Sequence, residues 1–332
     1  MRRSPDDGLI NRTYVVGEPP RAVLQWVNPI FDPRIHRDIE AVTARLLAAG
    51  VPAPRLLPTA GGGLWAERGD GCWRLMSHLP GRTVHRLLSR RQAREAGALV
   101  GRFHAALADW SYAFEARQRD IHDTPARLAE LRAALEEADG HPLAGPGRRL
   151  GEEILADWGR WDGELDQPRR ICHGDLKISN LRFDDAWRAV GILDLDTLGR
   201  MPLACEMGDA WRSWCNPAGE DDPDHARFDV ALFTASARAW LAHGPTLEER
   251  ERRALVPGIE RICLELAARF CADALNNSYF REDLERFPGS PGTHNLLRAR
   301  GQLAVARSAR EARSACEAVI WDSAGPRLPG GG

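Results

Sequence analysis

The chain has 332 residues, of which 43% are hydrophobic and 28% are charged, and its formal net charge at pH 7 is -2. These values exclude an intrinsically disordered protein and a polycationic nucleic-acid-binding protein. The length exceeds that of a typical single domain and predicts two domains or a two-lobed unit with an ample core.

Short β-rich segments and one helix make up the first part of the chain. The segments with strand patterns are residues 13–16, 22–28, 64–67 and 72–77. Turn-forming residues separate the members of each pair, which predicts two hairpins. Between the hairpins, apolar residues recur at helical spacing from Arg34 to Ala49, and Gly50 ends the pattern. A small sheet with one helix is therefore expected over residues 8–80.

Helical patterns dominate the remainder of the chain. The predicted helices cover residues 93–110, 124–138, 224–243, 246–275 and 293–318. A short hairpin over residues 181–193 interrupts them. We therefore expect an N-terminal lobe over residues 1–80, a helical lobe over residues 81–322 and a loose tail over residues 323–332.

The segment from His173 to Asn180 (His-Gly-Asp-Leu-Lys-Ile-Ser-Asn) places a carboxylate, an ammonium group and an amide on a predicted loop. Phosphoryl transfer requires a carboxylate that orients the attacking hydroxyl, a cation that offsets phosphoryl charge, and oxygen ligands for Mg²⁺. Asp175, Lys177 and Asn180 fit these roles in that order. Lys177 is the only lysine in the chain, so any role that requires a lysine falls on it.

A second carboxylate is expected to bind the same metal ion. Asp194 lies at the end of the predicted hairpin that follows Asn180, and the hairpin can bring the two side chains together. Asp196 either reaches a second ion or caps the following turn. The alternative for the whole pattern is a polar surface loop followed by a buried strand that ends in an Asx turn.

These residues resemble the aminoglycoside phosphotransferase and choline kinase superfamily, which is similar to protein kinases in fold. The resemblance rests on its H-G-D-x-x-x-x-N and I-x-D-x-D patterns. Within the superfamily the sequence looks most like the N-acetylhexosamine 1-kinase group. The segments that carry this likeness are Gly8-Leu-Ile-Asn-Arg-Thr-Tyr14, Val23-Leu-Gln-Trp-Val-Asn28, Met207-Gly-Asp-Ala-Trp-Arg212, Asn276-Asn-Ser-Tyr-Phe280 and His294-Asn-Leu-Leu-Arg-Ala-Arg-Gly-Gln302.

The resemblance implies an α+β, bilobal, protein-kinase-like fold that binds ATP and Mg²⁺ between its lobes. Asp175 would act as the base and Lys177 would contact the transferred phosphoryl group. Asn180 and Asp194, with Asp196 as a further candidate, would hold magnesium. Backbone groups from Met76 to His78 would contact adenine.

One position departs from the kinase pattern. Kinases of this shape carry a lysine on the third strand that holds the α- and β-phosphates, and the corresponding residue here is Gln25. Arg12 could supply the missing charge, or it is a solvated loop residue. Asn11, Arg12 and Gln25 are therefore nucleotide-binding candidates, although a glutamine on a strand is also typical of a polar sheet face.

Four further residues are candidates for recognising the acceptor. Asp209 either contacts a sugar hydroxyl or braces the polar loop by hydrogen bonds. Tyr279, Asn295 and Arg298 combine an aromatic face, an amide and a charged donor fork, as sugar sites do. The alternative for these three is helix packing. His104 and His173 are interpreted as a packed structural histidine and a loop-orienting residue.

Seven scattered cysteines without a CxxC pair predict reduced thiols in a cytoplasm. The sequence has no apolar stretch that would predict a secretory signal or a membrane-spanning segment.

The leading hypothesis is an ATP-dependent phosphotransferase that moves the γ-phosphoryl group to a hydroxyl of a sugar or amino sugar. The first alternative is an aminoglycoside or amino-alcohol kinase of the choline or homoserine type. The second is a catalytically silent nucleotide-binding module. Neither nucleic acid nor a membrane is an expected partner.

Overall fold

The computed structural model of the protein describes residues 2–3, 11–69, 71–117, 121–280, 287 and 289–322. Its first elements form an antiparallel sheet and one helix. The strands are β1 (Arg2–Arg3), β2 (Arg12–Val16), β3 (Ala22–Val27), β4 (Leu56–Leu57), β5 (Ala66–Arg68) and β6 (Gly71–Ser77), and the helix is α1 (Ile35–Ala48). The strand order is β1-β2-β3-β6-β4, and β5 pairs with β6.

The helix α1 buries one apolar stripe against the sheet and the helical part of the chain. Ile35, Ile39, Val42 and Leu46 recur at helical spacing, and each is at most 6% exposed. Asp38, on the same helix, accepts hydrogen bonds from the backbone N–H groups of residues 115 and 116. The stripe and this carboxylate therefore fix α1 to the segment that follows the next helix.

The remaining elements are mostly helical. They are β7 (Arg82–Thr83), α2 (Arg90–Leu107), α3 (Thr124–Glu136), α4 (Ala144–Trp158), β8 (Arg169–Cys172), β9 (Leu181–Phe183), β10 (Ala189–Ile192), β11 (Gly199–Pro202), α5 (Leu203–Trp214), α6 (Val230–His243), α7 (Glu249–Asn276), α8 (Thr293–Glu311) and α9 (Arg313–Asp322). Two small antiparallel sheets, β10-β9-β7 and β11-β8, lie among the helices. The long helix α7 packs against α3, α4, α5 and α8.

The predicted α+β class, the N-terminal sheet with its single helix and the mostly helical remainder are confirmed. The predicted loose tail, residues 323–332, lies outside the described residues. All seven cysteines are buried and none forms a disulfide bond. Within the described ranges no helix is long and apolar enough to cross a membrane.

Two helices, α4 and α5, were not predicted from the sequence pattern. Helix α4 contains three glycines and a proline, which have low helix propensity, and it forms because it packs closely on its neighbours. A Cβ atom added to Gly151 would lie 2.6 Å from the Leu135 side chain of α3. Helix α5 has only twelve residues and is buried on nearly every side.

A buried ion pair connects the segment before α3 to α7. His122 Nδ1 lies 2.9 Å from Glu265 Oε1, and Thr124 Oγ1 donates to Glu265 Oε2 at 2.6 Å. Burial disfavours both charges, but the charge of Glu265 raises the pKa of His122 and the charge of His122 lowers the pKa of Glu265. The pair therefore stabilises the fold most between the two pKa values.

We expect the unfolding free energy to fall as the pH rises through the raised pKa of His122. The His122 contribution is complete below its unfolded pKa of about 6.5 and is lost above the folded value. The stability difference between wild type and His122→Gln should shrink between mildly acidic and alkaline pH. Urea unfolding measures this difference, with the exposed His243→Gln as control. A difference that is constant with pH would contradict this expectation.

Candidate active site

The polar loop, defined here as residues 173–180, connects β8 to β9. A 3₁₀ turn, Ile178–Asn180, leads into β9. Gly174 has a φ of +84°, and a Cβ atom there would lie 2.4 Å from the Thr197 carbonyl oxygen, so the position requires glycine. Trp214 of α5 donates its indole N–H to the Leu176 carbonyl at 2.8 Å. Helix α5 therefore lies directly against the loop and holds its backbone.

Glu206 of α5 braces the start of the polar loop. Its carboxylate accepts hydrogen bonds from the backbone N–H groups of His173 at 2.7 Å and Gly174 at 2.9 Å. The side chain is fully buried, and although burial opposes its ionisation, its bond to His104 lowers the pKa of Glu206. The sequence offered Asp209 for this bracing, whereas Glu206 makes these bonds in the structure. The only sequence signal for Glu206 was an acidic residue within the apolar run of residues 201–207.

His104 supports Glu206 from α2. The Trp240 indole N–H donates to His104 Nδ1 at 3.0 Å, so the ring proton resides on Nε2, which lies 3.2 Å from Glu206 Oε1. The Cys172 thiol is also close to this pair, and the three groups have the composition of a metal site. Because both ring nitrogens of His104 already bond to protein groups, the cluster is structural, as predicted for this histidine.

His173 ties the polar loop to the end of β10. Its Nε2 lies 2.7 Å from the Leu193 carbonyl and its Nδ1 accepts from the Asp175 N–H at 3.2 Å. The Leu193 N–H donates to the Asn180 carbonyl at 2.8 Å. The loop-orienting role predicted for His173 is confirmed, and these bonds bring Asp194 next to the polar loop.

Asp175 and Lys177 form the charged centre of the loop. Lys177 Nζ lies 2.5 Å from Asp175 Oδ2, and Asn180 Nδ2 donates to the same oxygen at 3.1 Å. Within the described part of the chain, the second carboxylate oxygen, Oδ1, accepts no hydrogen bond. Burial opposes both charges, yet each partner stabilises the other, so the pKa of Asp175 is lowered and that of Lys177 is raised.

Asp194 lies beside this centre with its carboxylate accessible from solvent. Its backbone adopts φ 60° and ψ 61°, a left-handed conformation that costs a non-glycine residue about 1 kcal/mol or more and recurs at functional sites. Enclosure by the surrounding protein and the charge of Asp196 raise the pKa of Asp194 to about 6.

The oxygens of Asn180 and Asp194 fit a divalent cation. Asn180 uses its amide nitrogen for Asp175, and its Oδ1 accepts no hydrogen bond from any described residue. The Asp194 carboxylate has no hydrogen-bond partner in the same part of the structure. Carboxylate and amide oxygens are the ligands that hard cations such as Mg²⁺ and Ca²⁺ prefer.

The Asp196 side chain points toward the N-terminal sheet and not toward the oxygens of Asn180 and Asp194. Arg74 of β6 approaches it with two nitrogens, Nη1 to Oδ1 at 2.5 Å and Nη2 to Oδ2 at 2.9 Å, and Asn11 Nδ2 donates to Oδ2 at 2.6 Å. The Arg74 and Asp196 side chains are 2% and 1% exposed. Because both carboxylate oxygens are committed and buried, the structure argues against the predicted metal ligation by Asp196. It also places Asn11 against this carboxylate.

The sheet face above Asp196 carries a row of three polar side chains. Thr13, Gln25 and Arg74 are direct partners on β2, β3 and β6. Gln25 Oε1 accepts from Arg74 Nε at 3.0 Å and Nη2 at 2.7 Å, and Gln25 Nε2 donates to Thr13 Oγ1 at 3.0 Å. Sequence reasoning did not single out Arg74, because its strand pattern is ordinary.

Arg12 lies on the opposite face of the sheet. It precedes Thr13 on β2, and successive strand residues point to opposite faces. Its guanidinium carbon lies 4.8 Å from the centroid of the Trp26 ring. The structure therefore removes Arg12 as the substitute for the missing strand lysine.

The segment expected to meet adenine lies at the end of β6. Met76 pairs with Val23 and Leu56 on its two sides. The N–H groups of Ser77 and His78 donate to neighbouring backbone carbonyls at 2.8 and 3.2 Å. Because those two N–H groups already bond within the protein, the predicted adenine contact from residues 76–78 would use their carbonyl groups.

Of the three acceptor candidates beyond α7, Asn295 has a packing role. It is fully buried and donates to Asp273 Oδ2 at 3.1 Å. The same aspartate accepts the backbone N–H of Tyr279, whose side chain is 54% exposed. Arg298 Nη1 donates to Asn295 Oδ1 at 3.3 Å, and its Nε lies 3.3 Å from Asp221 Oδ1. The structure thus corrects the expectation that Asn295 contacts the acceptor.

Asp209, the fourth acceptor candidate, bonds to an arginine of its own helix. Its Oδ1 accepts from Arg212 Nε at 3.0 Å and Nη2 at 2.8 Å, whereas its Oδ2 is buried without a partner among the described residues. Asp209 lies one turn after Glu206 on the helix beneath the polar loop, near enough for its charge to raise the pKa of Lys177. A buried carboxylate oxygen of this kind normally accepts a hydrogen bond, so a donor is expected here.

A family model described as the phosphotransferase enzyme family matches residues 2–252. Solved structures resemble the whole chain at low sequence identity. An aminoglycoside phosphotransferase from Alicyclobacillus acidocaldarius is 17% identical, with a TM-score of 0.60 and coverage of 95% of this chain and 93% of that one. These likenesses show a common bilobal fold.

Two further neighbours have the same extent of likeness. An amicoumacin kinase, solved with AMP-PNP and Ca²⁺, is 12% identical, with a TM-score of 0.60 and coverage of 91% and 89%. A microcompartment-associated aminopropanol kinase is 16% identical, with a TM-score of 0.59 and coverage of 92% and 90%. The named substrates of the three proteins differ, so the fold by itself does not select an acceptor.

Proposed function

The chain belongs to the phosphotransferase enzyme family, and on that premise we propose that it transfers the γ-phosphoryl group of ATP to a hydroxyl of a sugar or amino sugar. The observation that carries the proposal is the Asp175 Oδ1 beside Lys177, with the oxygens of Asn180 and Asp194 next to them, none of which accepts a hydrogen bond from a described residue. An ATP analogue and a divalent cation accompany the related amicoumacin kinase, which supports the choice of donor.

In the proposed reaction Asp175 Oδ1 accepts a hydrogen bond from the acceptor hydroxyl and takes its proton as the bond between the acceptor oxygen and the γ-phosphorus forms. The bond between the γ-phosphorus and the β,γ-bridging oxygen of ATP breaks in the same step, and ADP leaves. Lys177 Nζ donates to the moving phosphoryl oxygens. Asn180 and Asp194 would hold Mg²⁺, which supplies charge neutralisation at the β- and γ-phosphates. The lowered pKa of Asp175 keeps its carboxylate ionised at neutral pH.

Three acidic side chains on α5 and shortly after it are already paired with cations, which favours a neutral, hydroxyl-rich acceptor. Asp209 and Glu220 are both paired with Arg212, and Asp221 is paired with His294 and Arg298. A multiply cationic aminoglycoside requires acidic groups that are not already neutralised. The orphaned Oδ2 of Asp209 suits a second hydroxyl of the acceptor.

A coupled ADP-release screen tests the proposal directly. The panel contains hexoses, N-acetylhexosamines, aminoglycosides and amino alcohols. Turnover with a hexose or N-acetylhexosamine above all other classes is expected. Selective turnover of aminoglycosides or amino alcohols would establish the alternative instead. Nucleotide binding without ADP release across the panel would identify a silent nucleotide-binding module.

The single lysine permits a test that needs no acceptor. An amine-directed reagent can modify only Lys177 and the α-amino group. Burial lowers but the charges of Asp175 and Asp194 raise the pKa of Lys177, so its amine stays protonated and should react at least about tenfold more slowly than a free lysine. Asp175→Asn should accelerate the labelling.

Mass spectrometry of the peptide that contains residue 177 measures this rate, and the α-amino group of the same sample is the internal control. Labelling at the rate of a free lysine, unaffected by Asp175→Asn, would contradict the ion pair between the two side chains.

A further inference from the structure

We propose that Arg74 is a positioning residue of the nucleotide site, which holds the turn of residues 194–197 against the N-terminal sheet through Asp196. It thereby neutralises Asp196 from the strand next to Gln25. This inference rests on the proposed function, because it concerns the same nucleotide and metal site.

The first argument is the geometry of the ion pair. Arg74 contacts both carboxylate oxygens of Asp196 in a fork arrangement, which fixes direction as well as distance. Gln25 Oε1 accepts two further N–H groups of the same guanidinium. The arginine is therefore held in one orientation by a strand neighbour and imposes that orientation on Asp196.

The second argument is the position of Asp196 in the chain. It follows Asp194 by two residues in a short 3₁₀ turn, so the orientation of one carboxylate constrains the other. Asn11 Nδ2 also donates to Asp196, and Asn11 Oδ1 accepts the Asn28 N–H at 3.0 Å. Groups from β6 and from the segment before β2 thus bond to a turn that belongs to the helical lobe.

The third argument is electrostatic. Asp175, Asp194 and Asp196 place three carboxylates around the polar loop, and Lys177 neutralises only the first of them directly. An uncompensated charge on Asp196 would compete with Asp194 for the divalent cation. Arg74 cancels that charge and leaves Asp194 as the accessible carboxylate of the turn.

Binding of AMP-PNP to Arg74→Met tests the inference without turnover. Isothermal titration calorimetry gives the dissociation constant in excess magnesium and in excess EDTA. Supporting groups around a metal site typically contribute about 10- to 100-fold to affinity, so the variant should lose at least about tenfold of the magnesium-dependent gain. Its affinity in EDTA should equal that of wild type.

The matched control is Arg310→Met. Arg310 bonds to the buried carboxylates of Asp157 and Glu260, which make no hydrogen bond to the polar loop among the described residues, so its loss should lower stability and leave the magnesium-dependent gain unchanged. Adding Asp196→Asn to Arg74→Met should cause no further loss, because both changes act through one carboxylate. If Arg74→Met does not unfold cooperatively, Arg74→Lys, which keeps the charge without the fork, serves for the same comparison.

Three results would overturn the inference. Equal losses with and without magnesium would indicate direct contact between Arg74 and the phosphates. Lower thermal stability with an unchanged magnesium-dependent gain would make the pair a purely structural tie. Additive losses in the double variant would separate Arg74 from Asp196.

These measurements distinguish a failure of this inference from a failure of the proposed function. A magnesium-dependent loss in Arg74→Met without turnover of any acceptor would support this inference and reject the acceptor proposal. Turnover with an unaffected Arg74→Met would do the reverse. A wild-type protein that does not bind AMP-PNP would overturn both.

Discussion

Replacing Asp175 by asparagine is expected to lower kcat by about 10²- to 10⁴-fold, which corresponds to about 3 to 5 kcal/mol in the barrier. Lys177 and Asn180 both donate to Oδ2, so the amide oxygen of the variant takes that position. Its NH₂ group then occupies the position of Oδ1. A donor there cannot accept the proton of the acceptor hydroxyl.

Steady-state kinetics with the best acceptor of the screen, together with AMP-PNP binding, measures this effect. The loss should appear in kcat while nucleotide binding is retained, because the change removes a transition-state interaction. Asp185→Asn is the control, since its side chain is 97% exposed in the neighbouring hairpin and pairs with Arg82. Turnover near the wild-type level would remove Asp175 from the mechanism.

Replacing Glu206 by glutamine is expected to lower the unfolding free energy by about 3 to 5 kcal/mol, as the loss of one partner from a buried ionic network does. The carboxylate accepts from His173 N–H, Gly174 N–H and His104 Nε2. A glutamine has one acceptor oxygen and one NH₂ group. Whichever way it turns, at least one of these buried donors faces another donor.

Urea unfolding measures the stability change, and kinetics below the unfolding transition measures its effect on the polar loop. A lower kcat in the folded variant is expected, because the N–H groups of residues 173 and 174 set the position of Asp175. Glu249→Gln, an exposed residue at the start of α7, provides the control and should change stability by less than about 1 kcal/mol. Wild-type stability in Glu206→Gln would contradict the bracing role.

The structure brings together the candidate site residues that lie within one short segment. Asp175, Lys177 and Asn180 lie five residues apart at most, so the chain itself keeps them together once the loop forms. Asp194 followed from the hairpin, because a β-hairpin returns the chain to its starting point. Local residue types and spacing therefore sufficed to propose the polar loop and its accessible carboxylate.

The residues that support the site could not be predicted from the sequence in the same way. Arg74 and Asp196 are 122 positions apart, and His104 and Glu206 are 102 apart. No local pattern distinguishes the committed carboxylate of Asp196 from the accessible one of Asp194. Likewise, Asp209 and Glu206 lie on the same buried helix, and only their neighbours in space decide which one braces the loop.

The sequence by itself determined the fold class, the order of most elements and the polar loop with Asp175 and Lys177, because these depend on periodicity and short-range spacing. Only the tertiary structure decided that Arg12 faces away, that Asn295 packs, and that Arg74 stands opposite Gln25. Strand register and helix packing set these relations between distant segments. Which residues bond to each other is therefore decided only in the folded chain.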